Sequence, residues 1–316
     1  MADLELGIRE LTIENFRGTD HLQLSFIGPR DFPTPIAVLG GPNGCGKTTV
    51  LEACLLATGN ARQIRGRSGP SAIHLGADDY QIRVVVQTRE DNFTFHCNST
   101  QIEGERSIYA EYYSSWRAPA LPGPQQVSTP KTGAARLEKN RLKNIKQFLV
   151  NARNYDFYVA ARHGDAGRPS KYGTVIDQLN SVWQMFYPGQ SFTVEPIDES
   201  PDFQLEVFCQ LSNGQRLAVD ALSSGQIELF CFAAGMLTEP APAGLVFIDE
   251  PELHLDPQWH ATLLRAFRKL KPGSQLIIGT HSPDIYASVY SFERHFLLPA
   301  DDPRAKAGSI RQPVLK

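Results

Sequence analysis

The run Gly41-Pro42-Asn43-Gly44-Cys45-Gly46-Lys47-Thr48 limits what this chain can fold into more than any other stretch. It fits G-x-x-x-x-G-K-[ST] at every position, follows the short apolar run from Pro35 to Gly40, and opens a helical pattern from Lys47 to about Thr58. Strand, glycine loop and helix in that order make a cradle for phosphate. The glycines let the backbone wrap an anion, so nucleotide contacts are expected from Asn43, Gly44, Cys45, Gly46, Lys47, Thr48 and Thr49. Within that set Lys47 brings a positive charge to the β and γ phosphates and Thr48 offers a hydroxyl to Mg²⁺. The ligand implied is a nucleoside triphosphate with Mg²⁺.

The rest of the chain alternates buried-looking strands and helices. Ile8 to Phe16 and His21 to Phe26 alternate apolar and polar residues, predicting a hairpin turned at Gly18 to Asp20. Gln81 to Thr88 and Asn92 to Cys97 predict a second strand pair. A Pro-, Gly- and Ser-rich stretch from Ala118 to Thr132 marks a change of architecture, after which Gly133 to His163 reads as a long helix with a break near Asn151 to Asp156. A second amphipathic helix covers Thr174 to Tyr187, three strands follow between Ser191 and Leu222, and strand, helix and strand alternate again from Gly244 to Ser282. The expected class is α/β, with a mixed central sheet, an N-terminal antiparallel β part and an inserted helical lobe. Residues 1–104 and 203–316 would form the core and 105–202 the lobe.

Charge excludes a globally basic nucleic-acid binder, because 31 Lys and Arg stand against 34 Asp and Glu, a net of −3. The five cysteines are scattered without metal spacing and read as small buried hydrophobes in a reducing compartment. Acidic residues stand where a secretion signal needs basic ones, and no apolar run reaches the roughly 18 residues of a membrane span. A cytoplasmic protein without membrane contact is expected.

Three further stretches carry chemistry. Leu245 to Ile248 deliver Asp249 and Glu250 to the C-terminal edge of a strand, where Asp249 can join the metal's shell and Glu250 can polarise an attacking water. His281 ends another buried strand, at the edge where open α/β sheets bind ligands, placed to contact the γ-phosphate or orient that water. Leu222-Ser223-Ser224-Gly225-Gln226 just precedes an apolar helix. Alone it is a helix N-cap; beside a phosphate loop its outward N–H groups suit an anion.

Taken in order, these pieces resemble the ABC-type P-loop ATPases, and Leu11 to Gly18, Asp249 to Pro257 and Gly279 to Asp284 look like the lineage of SMC, RecF and OLD proteins of DNA repair and phage defence. That resemblance implies a homodimer that sandwiches ATP. In it Ser223, Ser224, Gly225 and Gln226 form a signature closing over the partner subunit's γ-phosphate, with Asp256 facing the opposite protomer. The same resemblance puts Arg17 near the nucleotide and asks for a Mg²⁺-sensing glutamine, for which Gln87 at a strand end is the best candidate. It implies an ATPase that gates a separate effector or DNA-processing partner; a transporter's nucleotide-binding subunit is the alternative, and an SMC-like tether is weak because the helical segment is short.

From Lys131 to Arg153 there are seven basic residues and one acidic residue. Lys139, Arg141, Lys143 and Lys146 are either a solvated helical face or a nucleic-acid contact. Tyr112 to Pro119 clusters aromatics with Arg117 and reads as lobe core or a contact surface.

Overall fold

The computed structural model describes residues 4–64, 68–101, 107–115, 141–163, 170–197, 204–238, 244–299 and 302. The chain forms two compact units. The first comprises residues 1–115, 241–253 and 271–316, and the second 116–240 and 254–270. The division differs from the one expected: the segment up to Ser115 goes with the first unit, while the signature segment and the helix after Asp256 go with the lobe.

In the first unit, β1 (Leu6–Phe16), β2 (Thr19–Ser25), β4 (Gln81–Thr88) and β5 (Asn92–Asn98) make an antiparallel sheet in the order β2-β1-β4-β5. A parallel sheet in the order β12-β3-β11-β10-β6 combines β3 (Ile36–Gly40), β6 (Ala110–Tyr113), β10 (Leu245–Asp249), β11 (Gln275–Gly279) and β12 (Arg294–Phe296). Every residue of β3, β10 and β11 is buried, which is why these strands read as continuous apolar runs. The helix α1 (Lys47–Ala57) packs on β10 and β11 from one side and on β1, β4 and β5 from the other. Val50, Leu51, Ala53, Cys54, Leu55 and Leu56 of that helix are all buried in the shared core. A helix apolar all round belongs between two layers.

The second unit holds α2 (Arg141–His163), α3 (Lys171–Trp183), α4 (Ser224–Gly235) and α5 (His260–Leu270), with an antiparallel sheet of β7 (Ser191–Pro196), β8 (Leu205–Gln210) and β9 (Arg216–Ala218). Trp183 is fully buried, stacked on Tyr187 and edge-on to Phe192, which in turn meets Phe230 of α4. The α2 helix runs through Asn151 to Asp156 without the expected break. Its residues there are compatible with helix, and packing against α3 and α4 outweighs their modest propensity. The expected helical start before Arg141 and the loop from Ala118 to Thr132 lie outside the described residues.

Two strands of the parallel sheet were not expected. The β6 strand pairs with β10, Tyr113 opposite Ile248, and so the aromatic stretch beginning at Tyr112 is sheet rather than lobe. Trp116 and Arg117 lie outside the described residues. The β12 strand extends the other edge beside β3.

Candidate nucleotide-binding site

The parallel strands β3, β10 and β11 point their C-terminal ends the same way, and the glycine loop, Asp249, Glu250 and His281 follow those ends. The chain leaves β3 into the glycine loop, whose Pro42, Asn43 and Gly44 are exposed. Gly46 then caps α1 with a φ of 95°, a left-handed turn that a side chain resists, and so the helix can start at Lys47 aimed along the sheet. Cys45 is half-buried in the same loop.

Lys47 is buried, and its ammonium donates to the carbonyls of Gly41 at 2.9 Å and Pro42 at 3.0 Å. Next to it, Thr48 Oγ1 donates to Asp249 Oδ2 at 2.9 Å, and Ser115 Oγ reaches the same oxygen at 3.2 Å. Two hydroxyls and one buried carboxylate are hard oxygen donors of the kind Mg²⁺ takes alongside phosphate oxygens and water. The residues therefore fit that cation. Ser115 was missed because nothing in the sequence marked the end of β6 as a strand end.

Glu250 follows Asp249 in a left-handed conformation, φ 49°, which costs about 1–2 kcal/mol for a residue with a side chain. Its N–H donates to Gly279 O at 2.7 Å, tying the turn to the end of β11. His281 stands beyond that strand, with Nε2 3.3 Å from Glu250 Oε1 and Nδ1 3.4 Å from Lys47 Nζ. A single neutral tautomer serves both contacts, the ammonium donating to Nδ1 and Nε2–H donating to the carboxylate. Cation, imidazole and carboxylate thus form one chain across the site.

Arg17 follows the last residue of β1 with a φ of 55° and pairs with the buried Glu52 of α1. Its carbonyl is held by the His74 ring at 2.7 Å. Gln87 does not reach the metal donors. It pairs in register with Gly7, while a Cβ at Gly7 would lie 3.2 Å from Gln275 at the start of β11, the opposite end of that strand from His281. There Gln87 accepts from Arg9 at 2.9 Å, a structural bond that fixes the side chain away from the phosphate loop.

In the second unit, Ser223 and Gln226 form a reciprocal cap. Ser223 Oγ accepts from Gln226 N at 3.3 Å, and Gln226 Oε1 accepts from Ser223 N at 3.0 Å. Ser223 and Ser224 remain exposed at the start of α4. Gly225 is required by packing: a Cβ there would lie 2.5 Å from His254 O. Asp256 is exposed and caps the turn before α5, Oδ1 accepting from Gln258 N at 3.0 Å.

The basic run is corrected. Lys146 is fully buried, paired with Glu206 at 2.7 Å and Asp220 at 2.8 Å, and Arg141 is buried against Glu228 at 3.3 Å and over the Phe232 ring. Both serve the interior of the lobe, where a buried cation needs carboxylate partners. Lys143 is exposed, and Lys139 lies outside the described residues.

The two sheets with the glycine loop between β3 and α1 make the P-loop fold of SMC heads and RecF, and these pairings lie where that fold takes a nucleotide. The pattern described as "AAA domain" matches residues 10–158, and that described as "AAA domain, putative AbiEii toxin, Type IV TA system" matches residues 162–287. Among curated relatives the chain is similar to Septu protein PtuA of Bacillus mycoides (strain KBAB4), 23% identical over 87% of this chain and 38% of that protein. It is also similar to Septu protein PtuA of Bacillus thuringiensis, 24% identical over 88% of this chain and 72% of that one. The chain thus spans well under half the length of the first of these. Among solved structures, an Smc head domain with an extended coiled coil, bound to the C-terminal domain of ScpA derived from Pyrococcus furiosus, superposes with a TM-score of 0.57. It is 14% identical and covers 90% of this chain and 92% of that one. The recombination mediator protein RecF-ATPrS matches at a TM-score of 0.50, 11% identical over 94% of this chain and 98% of its own. At these identities the likeness speaks for the fold.

Proposed function

We propose that this chain binds ATP with Mg²⁺ and hydrolyses it. The observation that carries the reading is the gathering of five residues at one sheet edge, where Thr48 bonds Asp249 and His281 links Lys47 to Glu250. Lys47 turns from the loop carbonyls to the β and γ phosphates, and the loop's N–H groups wrap them. Thr48 and Asp249, with Ser115 beside them, would hold Mg²⁺, which would supply charge neutralisation on the phosphates. Glu250 accepts a proton from the attacking water while His281 keeps its carboxylate aimed.

The left-handed turn at Glu250 supports that role, since strain of this sort gathers at functional positions. The test is Glu250→Gln, which keeps nucleotide affinity and stops turnover because an amide accepts a proton poorly. Turnover at the wild-type rate in that variant removes Glu250 from the mechanism.

We further propose that two copies close over ATP, with Ser223 to Gln226 and Asp256 of one completing the site of the other, and that this closure gates a separate effector in phage defence. Support comes from the exposed helix start at Ser223 and Ser224, from the SMC-head fold, and from the similarity to Septu protein PtuA. The transporter-subunit alternative gains nothing from these likenesses. Among the described residues no helix is long and apolar enough to cross a membrane.

A further inference from the structure

The segment after β10 carries a third carboxylate that the proposed chemistry does not use. Because Glu250 turns left-handed and Leu253 N donates back to Glu250 O at 3.1 Å, the chain folds sharply and Glu252 faces the segment after β11. Its Oε1 accepts from His281 N at 2.5 Å and from Ser282 N at 3.2 Å. Those are the two amides that set the direction in which His281 leaves the strand.

A carboxylate on two consecutive amides just before a helix is ordinarily a cap. Here that office is filled, because Ser282 Oγ already accepts from Ile285 N at 3.2 Å at the start of α6 (Pro283–Ala287). Glu252 Oε2 is shut off from solvent and has no hydrogen-bond partner among the described residues, which makes the position costly to keep for capping alone. What the bonds do accomplish is to hold the His281 backbone while its ring spans Lys47 and Glu250.

We propose that Glu252 is a positioning residue of the nucleotide site: its carboxylate fixes the His281 backbone so that the imidazole bridges Lys47 and Glu250. The effect is carried through His281, and Glu252 itself touches no reacting atom. This rests on the reading of the site as an ATP-hydrolysing one, and so the test has one arm that needs no turnover.

In steady-state kinetics, Glu252→Ala lowers kcat roughly 10- to 100-fold, the scale of a misplaced catalytic group, with ATP affinity within about twofold. Glu252→Gln, which keeps an oxygen acceptor for both amides, recovers most of that loss. Glu252→Ala combined with His281→Ala is no slower than His281→Ala alone, as groups acting as a unit require. Wild-type kcat in Glu252→Ala, multiplying losses in the double variant, or no recovery with Gln would each overturn the proposal.

The second arm reads the ¹⁵N and ¹H imidazole signals of His281, assigned by their loss in His281→Asn. They shift in Glu252→Ala and stay in place in Glu252→Gln. Unmoved signals in Glu252→Ala overturn the positioning role whatever the turnover. Wild-type protein that binds ATP without hydrolysing it, while the signals respond as stated, counts against hydrolysis and leaves the positioning intact.

Discussion

Thr48 Oγ1 donates to Asp249 Oδ2 at 2.9 Å, joining the first turn of α1 to the last residue of β10. The bond places a hydroxyl and a buried carboxylate side by side at the mouth of the phosphate loop, the pair proposed to offer protein oxygens to a phosphate-bound Mg²⁺. Thr48→Ala removes one of these donors without disturbing the loop backbone. Calorimetry should then show ATP affinity in Mg²⁺ falling roughly tenfold or more, with affinity in a chelator little changed. Equal losses in both buffers would mean that Thr48 serves the loop's fold instead.

Ser115→Ala tests the donor that sequence reading missed. Its hydroxyl is 3.2 Å from the same Asp249 oxygen, and in the proposed site it would support that carboxylate or join it as a ligand. Losing a group that hydrogen-bonds a metal's ligand costs about 10-fold or more in metal affinity. The expected result is a higher Mg²⁺ concentration for half-maximal ATP turnover at unchanged melting temperature. An unaltered Mg²⁺ dependence removes Ser115 from the site.

What could and could not be read from the residues divides along physical lines. Phosphate chemistry demands glycines, a lysine and a hydroxyl at fixed spacing, and a buried parallel strand demands an apolar run, so Gly41 to Thr48 and Leu245 to Glu250 were legible. The β6 strand was not, because its four residues Ala110 to Tyr113 include an acid. Glu111 is buried there, paired with Lys271 at 2.6 Å and accepting from the hydroxyls of Tyr109 and Tyr113. That neutralising partner lies 160 residues away, and no local pattern announces it. Gln87 shows a different limit: its strand was predictable, but the antiparallel register puts its end opposite Gly7, far down the strand from Phe16 and Arg17.

Lys146 is the clearest case of tertiary context overriding a charge pattern. Lys146→Met leaves the carboxylates of Glu206 and Asp220 without their shared cation, in a position where Lys146 itself has no exposure. Removing one member of a buried ion cluster costs about 3–5 kcal/mol. Lys143→Ala, on the exposed side of the same helix, should stay within about 0.5 kcal/mol. Denaturant midpoints of the two variants check this, and a mild Lys146 variant would mean that the pair of acids finds water.

Thiol chemistry gives a pH-resolved test of the loop. Burial pushes the thiols of Cys97 and Cys209 up to about 11 and Cys231 up to about 12, and Cys54 higher still, whereas Cys45 is half-buried beside Lys47. A raised value keeps the thiol protonated and unreactive below it. Between pH 7 and pH 9 a disulfide reagent should therefore modify one cysteine in the folded protein and all five after unfolding. ATP with Mg²⁺ should slow that one reaction, and Cys45→Ser should abolish it. Rapid modification of several thiols in the folded state would show that the core around α1 opens readily.

The exposed cap at Ser223 decides whether two copies share a site. Ser223 Oγ is already committed to Gln226 N within its own chain, so a local cap needs nothing more, while an anion from a second copy would meet the outward amides of Ser224 and Gly225. Ser223→Arg blocks that approach by bulk, and Lys47→Ala removes the cation that offsets phosphate charge. Each variant alone should be inactive. Mixed, they form a heterodimer in which one composite site carries both defects and the other carries neither. Turnover should then recover in part, and Glu250→Gln protein should run as a dimer on sizing when ATP and Mg²⁺ are present and as a monomer without them. Recovery would place the signature of one copy over the nucleotide of the other, since no single chain in the mixture holds an intact loop and an intact cap. Mixtures that recover nothing, together with Glu250→Gln protein that stays monomeric with bound ATP, would leave Ser223 to Gln226 as the start of a helix and nothing more.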